Sequence, residues 1–128
     1  MSKISESRFL KQTIRDDRIV HESGTRVCIG IVSTEDRQVD FEDRDTGKVK
    51  MVGVLRLTCD YFNGEHMKVY YDVSSKRLAQ RLQEIEEHGD LYTKLIYISK
   101  TGEGYKTRYV AVAGEDKPKP TEQAKLGG

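Results

Sequence analysis

No run of apolar residues in this chain approaches the ~20 needed for a membrane-crossing helix, and the opening "MSKISESRFLKQ" lacks the apolar centre of a signal peptide. Tryptophan is absent, and the chain's two prolines, Pro118 and Pro120, both stand near the C-terminus. Cysteine is scarce. Cys28 and Cys59 each sit in an apolar, strand-like segment, with no Cys-x-x-Cys pair and no Cys/His cluster, which argues against a zinc site. Buried free thiols in a reducing, cytoplasmic setting are the expectation, with a disulfide between the two as the alternative.

The usual marks of catalysis are also missing. There is no nucleophile elbow and no dinucleotide-binding fingerprint. A phosphate loop needs Gly-Lys-Ser/Thr opening a helix, but in "SKTGEGYKTRYVAV" Tyr105 separates Gly104 from Lys106, and the β-branched and aromatic residues that follow suit a strand. His21, His66 and His88 are scattered over an arm, a strand and a helix end. No enzyme, no metal and no cofactor is therefore expected.

Charge is plentiful but nearly balanced, with a net of +1. Its distribution is uneven. Residues 35 to 45 carry a local balance of −4, and residues 91 to 113 a balance of +3. A near-neutral protein can still present a basic groove.

Residues 1–24 read as an arm packing on the domain through scattered apolar residues such as Phe9, Ile14 and Ile19. Alternation of Val27, Ile29 and Ile31 predicts a first strand over 25–33, followed by an acidic loop. A long second strand, 48–62, places Val49, Met51, Leu55, Leu57 and Cys59 on one face, and Gly53 within it suggests a bulge or bend. Asn63-Gly64 predicts a tight hairpin turn into a third strand with Met67, Val69, Tyr71 and Val73 inward. The period then lengthens. Leu78, Leu82 and Ile85 form a helical stripe with Ser74 or Ser75 as N-cap and Gly89 as the stop. Two more strands follow, about 91–99 and 105–113, and residues 114–128 read as a flexible tail. Three strands, a helix and two strands over residues 25–113 match the plan of an OB-like five-stranded Greek-key barrel. The β-grasp alternative would place the helix after the second strand. The terminal Leu126-Gly127-Gly128 is similar to the end of ubiquitin-like modifiers, but the element order argues against that fold.

Seven tyrosines interleave with lysine and arginine on the predicted strands. Stacking faces beside cations are what sequence-tolerant binding of a single nucleic-acid strand requires. The expected phosphate contacts are Lys50, Arg56, Lys68, Lys106 and Arg108, with Tyr70, Tyr105 and Tyr109 stacking on bases. A core role competes at Tyr71, Tyr97 and Tyr109.

The segment "KTGEGYKTRYVAV" resembles one in bacteriophage-type single-stranded DNA-binding proteins, through Gly102, Gly104, Thr107, Arg108 and Tyr109. The resemblance is confined to residues 95–112. It implies an OB-like barrel that binds single-stranded DNA with little sequence preference during phage or mobile-element replication, recombination or repair. Such proteins often end in an acidic, partner-recruiting tail, whereas the tail here is mixed in charge. RNA is a second expected ligand, and pairing of a barrel edge with another copy would give a homodimer. The competing expectation is a small structural or protein-interaction module that binds no nucleic acid.

Overall fold

The computed structural model describes residues 14–43 and 45–118. Among the described residues the chain is mainly β with one α-helix. Two short strands, β1 (Ile14–Arg15) and β2 (Arg18–Ile19), precede three long ones, β3 (Thr25–Glu42), β4 (Val49–Phe62) and β5 (Glu65–Val73). Helix α1 (Lys76–Glu87), β6 (Lys94–Thr101), a 3-10 turn (Gly104–Lys106) and β7 (Arg108–Asp116) complete the order. All seven strands form one open sheet, β1-β2-β5-β4-β3-β6-β7, and no ladder joins β5 to β7 among the described residues.

Local sequence accounts for most of these elements. Asn63 and Gly64 both take positive φ (48° and 96°), as a two-residue turn between twisted strands requires. The turn is also anchored from outside, because the Asn63 side-chain oxygen accepts the Cys28 N–H at 2.8 Å. Helix α1 starts where the Ser75 hydroxyl accepts the Leu78 N–H. It buries Leu78, Leu82 and Ile85 and stops before Gly89 (φ 83°). Its C-terminal acids oppose the helix dipole, but two of the three have partners: Glu84 pairs with Arg81, and Glu86 accepts from the Tyr92 hydroxyl. The core lies between the helix and the inner face of the sheet, centred on Ile29, Ile31, Leu57, Cys59, Val69, Ile96 and Ile98.

Four expectations need correction. The acidic segment is no loop. Residues 35–42 continue β3, held by an unbroken ladder from Glu35↔Arg56 to Glu42↔Val49. Gly53 stands inside that ladder opposite Gln38, with no register shift beside it, so it is not a bulge; the shifts fall at Gly30–Ser33 and Cys59–Tyr61. Val49 and Met51 share the inner-face phase of Leu57 but lie beyond the core, 63% and 58% exposed. Lastly, β7 runs to Asp116, past the boundary expected at residue 113.

The described part of the N-terminal segment, from Ile14, lies against the sheet. Arg18 pairs with Tyr70 of β5, Gly24 N–H donates to the Lys100 carbonyl, and the Ser23 hydroxyl donates to that of Gly102. Residues 18–24 thus connect the β5 edge to the β6–β7 turn. Phe9, expected to help pack the arm, and the tail beyond Pro118 lie outside the described residues.

Candidate nucleic-acid interface

Strand pairing decides which side chains share a surface. Opposite residues of an antiparallel pair point to one face, so Arg56 with Asp72, Thr58 with Tyr70, and Tyr61 with His66 define the outer face of β4 and β5. Lys68 lies between His66 and Tyr70 in the same phase. Along the outer part of the β3–β4 ladder this face continues through Glu35, which pairs with Arg37, and through Val39, Val52, Phe41 and Lys50. Asp36, Asp40 and Glu42 have the opposite phase. The −4 stretch is therefore divided by the pleat, with three of its acids turned away from the face that holds Lys50 and Lys68.

Tyr70 is the best-defined aromatic of this face. Its half-buried ring has the Arg56 guanidinium 4.9 Å from its centroid and the Lys68 ammonium at 5.9 Å. Arg56 is spent on Asp72. Its Nε and one terminal N donate to the two carboxylate oxygens at 2.8 and 3.0 Å, and that carboxylate, the largest cause, raises the guanidinium's pKa. Arg18 adds a longer contact to the same Asp72 at 3.9 Å. A fork held in this way orients the Tyr70 ring, so Arg56 is a positioning residue here and not an open phosphate contact. Lys50, Lys68, Lys106 and Arg108 are all exposed and in no ion pair among the described residues.

The opening stretch of the +3 region forms the β6–β7 turn. Gly102 (φ 79°) accommodates the close approach of the Lys106 carbonyl, which a Cβ would overlap. The 3-10 turn then projects Tyr105, 95% exposed, with the Lys106 ammonium 5.9 Å from its ring. Arg108 and Tyr109 part company at this point. Successive strand residues face opposite sides. Arg108, paired with Thr101, follows the outward phase, whereas Tyr109, paired with Lys100, packs against the core cluster. Tyr109 lies 6.2 Å from His21, which is itself bonded to Tyr71. The expected stacking role does not fit Tyr109, since its ring helps fill the space between β5 and β7. Tyr71 is core, and half-buried Tyr97 lies beneath the Arg26 guanidinium and donates to Glu115.

Two groups of candidate residues result, one on the β4–β5 face and one on the β6–β7 turn. The arm bounds their separation, because the five residue steps from Arg18 to Ser23 span at most about 18 Å. The contributions of Arg18, Phe41 and Tyr61 are invisible in the sequence pattern. Only the β2–β5 pair, the extension of β3 and the bulge after Cys59 bring them to this face.

Both cysteines are free; burial raises the Cys28 thiol and pushes Cys59 up to about 12, so neither is a ready nucleophile. Among the described residues no group of three or more His, Cys, Asp and Glu side chains could hold a metal ion, and no helix is long and apolar enough to cross a membrane. No family model, no curated protein and no solved structure matches the chain.

Proposed function

We propose that the protein binds single-stranded DNA with little sequence preference, holding the strand apart from its complement and from nucleases in the cytoplasm of a phage-infected or mobile-element-bearing cell. Binding and presentation of the strand during replication, recombination or repair is its whole activity in this reading. The observation that carries it is the Tyr70 site: a ring held by Arg56, beside Lys68, which is in no ion pair among the described residues, on a face from which Asp36, Asp40 and Glu42 are turned away. Stacking and phosphate neutralisation are then available side by side. Tyr105 with Lys106 repeats the combination on the turn.

We read the sheet as an opened OB-like barrel. Support comes from the β5-β4-β3-β6-β7 run of the sheet and from the position of α1 between β5 and β6 in the chain. The arm, through His21, occupies the side where a closed barrel would bring β5 and β7 together. In such a barrel the face of the second and third strands and the loop between the last two bind oligonucleotides; here these are the β4–β5 face and the 102–107 turn.

Titration of fluorescent oligonucleotides (single-stranded DNA, duplex and RNA) at two salt concentrations tests the proposal. The single strand should bind best, and affinity should fall as salt rises. No salt-dependent binding to any of them would leave a structural or protein-interaction module as the reading.

A further inference from the structure

The outer half of the β3–β4 hairpin has no other strand beside it. Strand β6 pairs with β3 only over Thr25–Ile29, and β5 pairs with β4 only from Leu55 onward. Residues 34–42 and 49–54 therefore form a two-stranded ribbon with two open edges among the described residues. A ribbon of this kind is marginal in water by itself.

The two edges differ in kind. Along β3 the sequence "TEDRQVDFE" carries Glu35, Asp36, Arg37, Asp40 and Glu42, the charge that normally guards an exposed strand edge. Along β4 "VKMVGV" carries Lys50 alone among β-branched and apolar residues, with Val49 and Met51 among the most exposed apolar side chains described. Gly53 lies on this unguarded edge. Neither a bulge nor crowding explains it, since a Cβ there would meet nothing within 4 Å. A strand-interior glycine without either reason fits a place where another backbone approaches. A cleft of about 520 Å³ lies at the base of the ribbon, lined by Asp36 and Gln38 of β3 as well as by Gly53, Val54 and Ser74, so it does not by itself distinguish the two edges.

We infer that a second copy of this chain occupies the β4 edge, the two 49–54 segments pairing antiparallel about a two-fold axis at Met51 or Val52. Such an interface is self-complementary and closes at two subunits. The axis stands perpendicular to the sheet, so each face of the ribbon continues into the same face of its partner. Val49 and Met51 of both copies meet on one side, and both copies of Lys50 and Phe41 lie on the other. The opposite end of the sheet is less open, because Arg81 Nε from α1 donates to the Ala111 carbonyl of β7 at 2.9 Å. The inference is independent of nucleic-acid binding.

Sedimentation velocity on the full chain without DNA, over a wide concentration range, is the test. The wild type should form a concentration-dependent dimer. Met51→Lys, at an exposed position outside the core, should keep the wild-type Tm at concentrations where both are monomeric and weaken dimerisation at least tenfold. Under mild oxidation Met51→Cys or Val52→Cys, whichever lies on the axis, should give a covalent dimer, and Asp40→Cys on the guarded edge should not. A wild type that stays monomeric throughout, a dimer untouched by Met51→Lys, or crosslinking only through residue 40 would each overturn the inference.

Discussion

The Tyr71 hydroxyl and His21 Nδ1 are joined at 2.6 Å across a sequence separation of 50 residues. The other ring nitrogen fixes the direction of this bond. Nε2 lies 2.9 Å from the Thr25 carbonyl, which can only accept, so Nε2 carries the proton and Nδ1 of the neutral ring accepts from Tyr71. Lys100 donates to the His21 carbonyl at 2.8 Å, closing the link between the arm, β5 and β6.

This link should make stability depend on pH. Burial, followed by the Lys100 ammonium, holds the His21 pKa below 6.5 despite the bond to Thr25. The unfolded chain therefore takes up the proton first as pH falls. His21's contribution is fully present above pH 6.5 and is lost as pH drops through the folded-state value. Urea midpoints of wild type and His21→Ala, compared at pH 7.5 and 5.5, should converge at the lower pH. At the higher pH the variant should be weaker by about 1 kcal/mol for a lost hydrogen bond.

Two glycines with positive φ should differ in cost. Gly64 has open space around it, so Gly64→Val should cost on the order of 1 kcal/mol from backbone strain alone. At Gly102→Ala the same strain adds to overlap with the Lys106 carbonyl, and a loss toward ~3 kcal/mol is expected. Denaturation midpoints rank the two variants.

Tyr105 and Tyr109 should separate binding from folding. Tyr105→Ala should leave the Tm unchanged while weakening single-strand affinity by roughly 1–3 kcal/mol. Tyr109→Ala should lower the Tm, because its ring packs on the core cluster beside His21.

Lys68→Ala and Lys106→Ala should each flatten the plot of log affinity against log salt by about 0.7, the signature of one lost phosphate contact. Arg56→Ala should instead lower stability by roughly 1–3 kcal/mol, as expected for lost hydrogen bonds to a charged group. It should weaken binding through a disordered Tyr70, with little change in the salt slope.

A chain ending at Gly114 should melt at a lower temperature than one ending at Pro118. The shorter chain loses the Tyr97–Glu115 and Lys94–Asp116 bonds and the Lys117 ammonium that donates to the Ile31 carbonyl. Equal melting temperatures would show that these contacts contribute nothing to the fold.

Sequence alone determined the elements whose signals are local. Alternation of Val27, Ile29 and Ile31, the Asn63-Gly64 turn, and the Ser75-to-Gly89 helix with its Leu78–Leu82–Ile85 stripe each depend on neighbours a few residues away, where periodicity and φ preference act directly. The glycine-rich turn was legible for the same reason, but Tyr105 and Lys106, expected to open the last strand, belong to a 3-10 turn before it. Tertiary structure decided the rest. Residues 35–42 are too polar to announce a strand, and they become one because β4 supplies a ladder partner. That ladder also turns Asp36, Asp40 and Glu42 away from Lys50 and leaves Glu35 on its face. Arg56 looked like an open cation until the β4–β5 register set Asp72 against it, and Tyr109 looked like a stacking residue until the arm brought His21 to its ring. In each case the deciding partner is remote in sequence, and the energy of a contact depends on distance in space, which no local pattern encodes.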